Sequence, residues 1–213
     1  MPADALTRLQ LQATRLFFSL TESAGFAVAG GAALLARGMI HRPTRNVDLF
    51  LLDTACSEVG AAAASFEAAL DHQGWSHHRV IDQHDFIRIE ISDHLEDLII
   101  DLGRDSPPEE PIDTTDLGPT LSPRDLAARK TLALFGRAEA RDFADVSDLA
   151  RHYGRDHLLA LAAADDAGFD LHVFASMIAA INRLTDEDLS VGPRDPEDLR
   201  AYFHDWAAEL ADR

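Results

Sequence analysis

The sequence predicts an α/β (α+β) fold, a mixed sheet with helices followed by an all-helical half, and three observations carry that prediction. Short apolar runs, some alternating with period two, occupy the stretch from Phe26 to Leu102. An acidic segment with Pro107, Pro108, Pro111 and Pro119 follows, from Arg104 to Leu121. Beyond it, apolar residues recur at helical spacing. The expected organisation is an α/β core over residues 1–121 and a helical C-terminal region over 122–213 packed on that core.

Each element has a local reason. Leu6, Leu9, Ala13, Leu16, Phe17 and Leu20 share one face of a helix. Phe26 to Ala29 reads as a short buried strand that Gly30-Gly31 breaks, and Ala32 to Arg37 reads as a helix ended by Gly38. His41 to Asn46 is polar and holds Pro43, hence a loop. Val47 to Leu52 is a strand with Val47, Leu49 and Leu51 on one face and Asn46, Asp48, Phe50 and Leu52 on the other. An alanine-rich helix spans Ser57 to Leu70, and strands are expected at His77–Ile81, Phe86–Ile91 and Leu95–Leu102. In the last of these, Asp97, Ile99 and Asp101 share a face. The proline-bearing stretch reads as an exposed connector or flap. Ser122-Pro123-Arg124-Asp125 then starts a helix, with a capping serine, proline at the first turn and an early acid. Further helices are expected near Arg141–Tyr153, Asp156–Ala164, Leu171–Arg183 and Pro196–Ala211.

Composition narrows the function classes. Met1 to Gln10 lacks the apolar core of a signal peptide, and the longest uncharged stretch, Ser23 to Ala36, is too short for a bilayer. Cys56 is the sole cysteine, which leaves no disulfide framework or thiolate metal site. A cytoplasmic protein with no membrane partner is expected. The net charge of −18 argues against a protein that coats DNA. Its distribution is uneven: through Phe50 five basic residues face three acidic ones, a local +2 that leaves −20 for the remainder. Arg37, His41, Arg42 and Arg45 form a basic stretch suited to a phosphate-bearing substrate docking at one place. Lys130 is the only lysine against eighteen arginines, which singles out a compact, deprotonatable cation at that position.

The chemistry-bearing residues lie in order along the core. Gly30-Gly31 between a strand and a helix offers backbone N–H groups to a phosphate. A basic loop then delivers Asp48 onto a strand face. Asp101 sits in an apolar strand, where a charge is expensive unless it is paired or metal-bound. Strand-borne acids converging beside a phosphate cradle can hold Mg²⁺ against a nucleoside triphosphate. The histidines lack metal-ligand spacing and read as solvated or packing residues.

Five features in sequence resemble the nucleotidyltransferase superfamily, and specifically the AbiEii/AbiGii and MenT-like toxins. They are Gly30-Gly31; Arg42-x-Thr44-x-Asn46-Val47-Asp48; Asp101; Asp125-Leu126-Ala127-Ala128-Arg129-Lys130; and Arg141-Asp142-Phe143-Ala144-Asp145. The resemblance spans about Phe26 to Ala150 and implies a nucleotidyltransferase fold and a toxin–antitoxin setting with a cognate antitoxin. It implies Mg²⁺-dependent transfer of NMP from an NTP to an RNA 3′ end, with tRNA as the expected acceptor. Asp48 and Asp101, assisted by Asn46, would hold the metal. Gly30, Gly31, Arg42, Thr44 and Lys130 would hold the triphosphate, and Asp145 would orient Lys130 or the substrate.

Residue 46 departs from the family pattern. The first acid of the Asp-x-Asp pair is Asn46, whose amide oxygen can ligate a metal but brings no charge. Three readings follow: a natural, weakened or non-catalytic member; a variant inactivated for expression; or an enzyme for which Asp48 and Asp101 suffice with one Mg²⁺. Two other functions stand beside RNA extension. One is transfer to a small-molecule or protein hydroxyl, and the other is a degenerate module that binds nucleotide or a partner without turnover.

Overall fold

The computed structural model describes residues 6–211. The chain forms two compact units. The first runs through Arg37 and resumes over Thr44–Ser122; the second takes Gly38–Pro43 and everything described from Pro123 onward. The sequence places its boundary at 121/122, one residue before the break at Pro123, but gives no sign that the loop 38–43 joins the helical unit.

In the first unit, α1 (Arg8–Phe18) starts at a capping box in which Thr7 and Gln10 satisfy each other's backbone N–H groups. Its apolar face puts Leu9, Ala13 and Phe17 fully out of water. β1 (Phe26–Ala29) leads directly into α2 (Gly30–Ala36), so the glycine pair is the helix's first turn rather than a break before it. β2 (Asn46–Leu51) alternates half-buried and buried residues, with Val47, Leu49 and Leu51 inaccessible. Leu52, which the alternation placed on the Asp48 face, lies just past the strand and is buried. α3 (Val59–Gln73) ends at Gly74, which adopts the left-handed conformation of a helix C-cap. β3 (Ser76–Gln83), β4 (Phe86–Ser92) and β5 (Asp97–Arg104) form a meander.

The connector expected at 104–121 is instead partly strand. β6 (Asp113–Thr115) and β7 (Gly118–Thr120) make a hairpin, and β7 pairs in parallel with β1 through Val28 and Thr120. Leu117 and Leu121 are fully buried there, so two apolar anchors outweigh the proline signal. Pro119 lies on β7 between β1 and β6, opposite Thr114, while the pairing of β7 with β1 falls on Thr120. The strand order is β3-β4-β5-β2-β1-β7-β6, a mixed sheet in which β2–β5 is parallel and β1–β2, β3–β4 and β4–β5 are antiparallel.

The two faces of this sheet differ. Ile87, Ile89, Ile91, Leu98, Ile100 and Leu102 join Phe66 and Leu70 of α3 in the core. Each large apolar side chain so buried contributes roughly 1.5–3 kcal/mol. The opposite face carries Arg88, Glu90, Asp97, Ile99 and Asp101, the period-two complement.

The second unit is helical: α4 (Pro123–Gly136), α5 (Ala140–Tyr153), α6 (Arg155–Asp165), α7 (Leu171–Ala179), α8 (Asp186–Leu189) and α9 (Pro196–Ala211). The helix expected to Arg183 tightens into a 3₁₀ turn over Ala180–Arg183. Phe143 of α5, Phe174 of α7, and Phe203 and Trp206 of α9 are fully buried and meet edge-on at 4.9 Å (Phe143–Phe203) and 5.3 Å (Phe174–Trp206). Among the described residues no helix is long and apolar enough to cross a membrane.

Candidate active site

Strand register builds a polar row across the open face of the first unit. Asp48 on β2 faces Asp101 on the parallel β5, Asp101 faces Arg88 on the antiparallel β4, and Ala29 of β1 faces Asp48 from the other side. The two acids singled out in the sequence are therefore cross-strand neighbours. Two like charges so placed repel unless cations or donors stand between them.

Asn46 and Arg88 supply those groups. The Asn46 amide nitrogen donates to Asp48 Oδ1 and to Asp101 Oδ2, at 3.2 Å each. Arg88 donates through Nε to Asp101 Oδ1 at 2.6 Å and through Nη2 to Asp101 Oδ2 at 2.8 Å. This fork is the strongest ion-pair geometry available to a carboxylate, and Asp101 is only 3% exposed. Hydrogen bonding to Asp101 pushes the Arg88 guanidinium above its usual range. Burial opposes this, and the charges of Asp101, Asp48 and Glu90 reinforce it. Arg88 also lies 5.8 Å from the Phe86 ring centroid.

Behind this row runs a chain of positioning contacts. Thr44 Oγ1 donates toward the Asn46 side-chain oxygen at 3.2 Å, which leaves the amide nitrogen to face the carboxylates. The Thr44 carbonyl accepts from Gln10 Nε2 at 2.9 Å, and Gln10 Oε1 accepts from the Thr7 backbone in the α1 capping box. The start of α1 thus holds the Thr44 backbone beside the amide.

Gly30 meets Asp48 most closely. Its φ is +61°, and a β-carbon there would stand 1.8 Å from Asp48 Oδ2. Only glycine fits, for space and for backbone conformation alike. Beside the acids, Arg45, His78, Glu90, Asp97 and Ile99 help line an open groove of about 760 Å³ on the same sheet.

The second unit gathers Arg42, Lys130, Asp142 and Asp145. Arg42 forks onto Asp145 at 2.6 and 2.7 Å. Lys130 Nζ lies 3.0 Å from Asp145 Oδ2 and 3.2 Å from Asp142 Oδ1. Arg137 grips Asp142 at 2.8 and 3.0 Å. Both aspartates are fully buried and ion-paired, so a favourable helix dipole alone does not account for them. The basic stretch read from the sequence is accordingly not a row of free cations. Arg42 is bound to Asp145, and Arg37 donates to Asp113 and to the Leu121 carbonyl.

Arg88, Gln10 and Arg137 escaped the sequence reading. Arg88 had a signal: Phe86 to Ile91 alternates strictly, and counting back from the turn between Ser92 and Asp97 sets Arg88 opposite Asp101. Gln10 had only the Thr-x-x-Gln capping pattern, which does not reveal its second partner.

The sequence model of the nucleotidyl transferase AbiEii toxin family, of a type IV toxin–antitoxin system, matches residues 15–212. The chain is similar to a solved candidate nucleotidyltransferase from Helicobacter pylori, with 19% identity and a TM-score of 0.60 over 96% of each chain. It is similar to JHP933 from Helicobacter pylori at 17% identity and a TM-score of 0.56, covering 97% of this chain and 93% of that one. It is also similar to MenT4, a nucleotidyltransferase toxin from Mycobacterium tuberculosis H37Rv, at 13% and 0.52, covering 97% and 86%. No curated protein matches it in sequence.

Proposed function

This chain belongs to the nucleotidyl transferase AbiEii toxin family, and on that premise we propose that it transfers NMP from an NTP to an RNA 3′ end, the tRNA acceptor, with Mg²⁺. It is a nucleotidyltransferase by family; the acceptor and the metal are our reading. The observation that supports it most is the direct pairing of Asp48 with Asp101 across the adjacent strands β2 and β5, bridged by Asn46.

The donor set fits a hard cation. Two carboxylates and an amide provide oxygen ligands of the kind Mg²⁺ takes, once the Asn46 amide turns its oxygen toward them. Asp48 and Asp101 would hold the ion with help from Asn46. Bound there, Mg²⁺ would neutralise charge on the triphosphate as displacement proceeds. Asp48 would accept the proton of the attacking 3′-hydroxyl as its oxygen bonds to the α-phosphorus and pyrophosphate leaves. Gly30, Gly31 and Thr44 would bind the phosphates of the NTP. Arg42 and Lys130, both held by Asp145 in the second unit, are the cations we assign to phosphate contact. Asp145 would keep Lys130 in place. The groove lined by Arg45, His78 and Glu90 would receive the RNA end, and a cognate antitoxin would restrain the activity in the cell.

The test is transfer of each α-labelled NTP onto total tRNA with Mg²⁺, in the unsubstituted protein, in Asn46→Asp and in Asp48→Ala. Label with the unsubstituted protein, abolished by Asp48→Ala, is the expected result. Label in Asn46→Asp alone would locate the loss of activity at residue 46. An undiminished rate in Asp48→Ala would overturn the mechanism, and silence in every folded variant would overturn the tRNA acceptor.

A further inference from the structure

We propose that Arg88 is a resident cation of the carboxylate row, supplying to Asp101 the charge that a second metal ion would supply, so that the site takes one divalent ion. This inference rests on the metal site proposed above. It starts from Asp101, whose carboxylate offers about four lone-pair sites. Arg88 takes two of them through its fork, half of the capacity that Asp101 could otherwise give to metal ions. What remains is enough to share an ion with Asp48.

Charge gives the same answer. The negative charge of Asp101 is already matched by Arg88, which weakens the attraction of that carboxylate for a second divalent ion. Asn46 adds no charge. Arg88 is also built to stay, because it lies over the Phe86 ring and Glu90 follows two residues on along the same face of β4. A guanidinium stacked and forked in this way is not replaced by lysine, whose single point charge cannot hold both oxygens.

The direction of one measurement separates this role from simple scaffolding. Mn²⁺ binding is titrated by electron paramagnetic resonance on the full chain, and the isotherm of Asp48→Ala is subtracted to remove weak binding by surface acids. The expected difference is one ion per chain, bound about tenfold more tightly in Arg88→Gln because a nearby positive charge is gone. Arg88→Lys, which keeps the charge, should bind like the parent or more weakly. If Arg88 only holds Asp101 in place, Arg88→Gln binds Mn²⁺ more weakly, and the inference falls. Two ions per chain in the parent would overturn it as well. No difference between the parent and Asp48→Ala would overturn the metal site itself, and this inference with it. Circular dichroism of each variant confirms that the comparison is between folded proteins.

Discussion

Gly30 and Asp48 are in such close contact that a β-carbon on the first would stand 1.8 Å from a carboxylate oxygen of the second. The glycine is thus part of how the acid is aimed. Its positive φ starts α2 against β2, and its missing side chain leaves room for the carboxylate. Gly30→Ala should displace Asp48 and lower nucleotidyl transfer by about a hundredfold or more, as a misplacement of an ångström does. Gly60→Ala in α3, where a β-carbon meets nothing within 4 Å, is the control. It should leave the rate unchanged and raise stability by roughly 0.5–1 kcal/mol. Steady-state transfer rates and melting temperatures measured on both variants would decide this.

Asp145 satisfies two buried cations at once, Arg42 and Lys130. Asp145→Ala should therefore cost about 3–5 kcal/mol, the consequence of removing one carboxylate from a buried ion-pair cluster. Asp205→Ala removes an exposed partner of Arg155 that Glu209 also serves, and its effect should be small. Urea denaturation of the two variants provides the comparison. Equal losses would show that the Asp145 cluster is not the electrostatic anchor of the helical unit.

Asp142 links this cluster to pH. Burial alone would raise its carboxyl, but hydrogen bonds from Arg137 and the charges of Lys130 and Arg137 overcome that and hold it below the usual 3.8. The folded-state value therefore lies under the unfolded one. Its contribution to stability is full above 3.8 and is lost as pH falls through the lower folded-state value. Asp142→Asn should be the less stable protein at neutral pH, and the gap should narrow as the solution is acidified below 3.8. Urea midpoints across that range test the sign, and a gap that widens in acid would contradict it.

Much of the sheet was legible from local pattern. Val47, Leu49 and Leu51 alternate with Asn46, Asp48 and Phe50, and that alternation alone fixes which residues share the face of Asp48. The helix over Pro196–Ala211 was equally plain, because a buried stripe and a proline start leave one reading. The hairpin at 113–120 was not, since its strands are three residues each and gain their stability from β1 and from buried Leu117 and Leu121, none of which is a local signal.

The sequence by itself determined the kinds of residue present and the faces they occupy: two acids and an amide on alternate strand positions, a glycine pair at a strand–helix turn, and a single lysine in a helix. Only the tertiary structure decided their partners. Arg88 meets Asp101 through the register of an antiparallel pair, Asp48 meets Asp101 through a parallel pairing of distant strands, and Gln10 reaches Thr44 from another helix. The physical reason is range. Periodicity and capping act over three or four residues, whereas the charge balance of this site is set by groups brought together across 13 to 55 positions of chain.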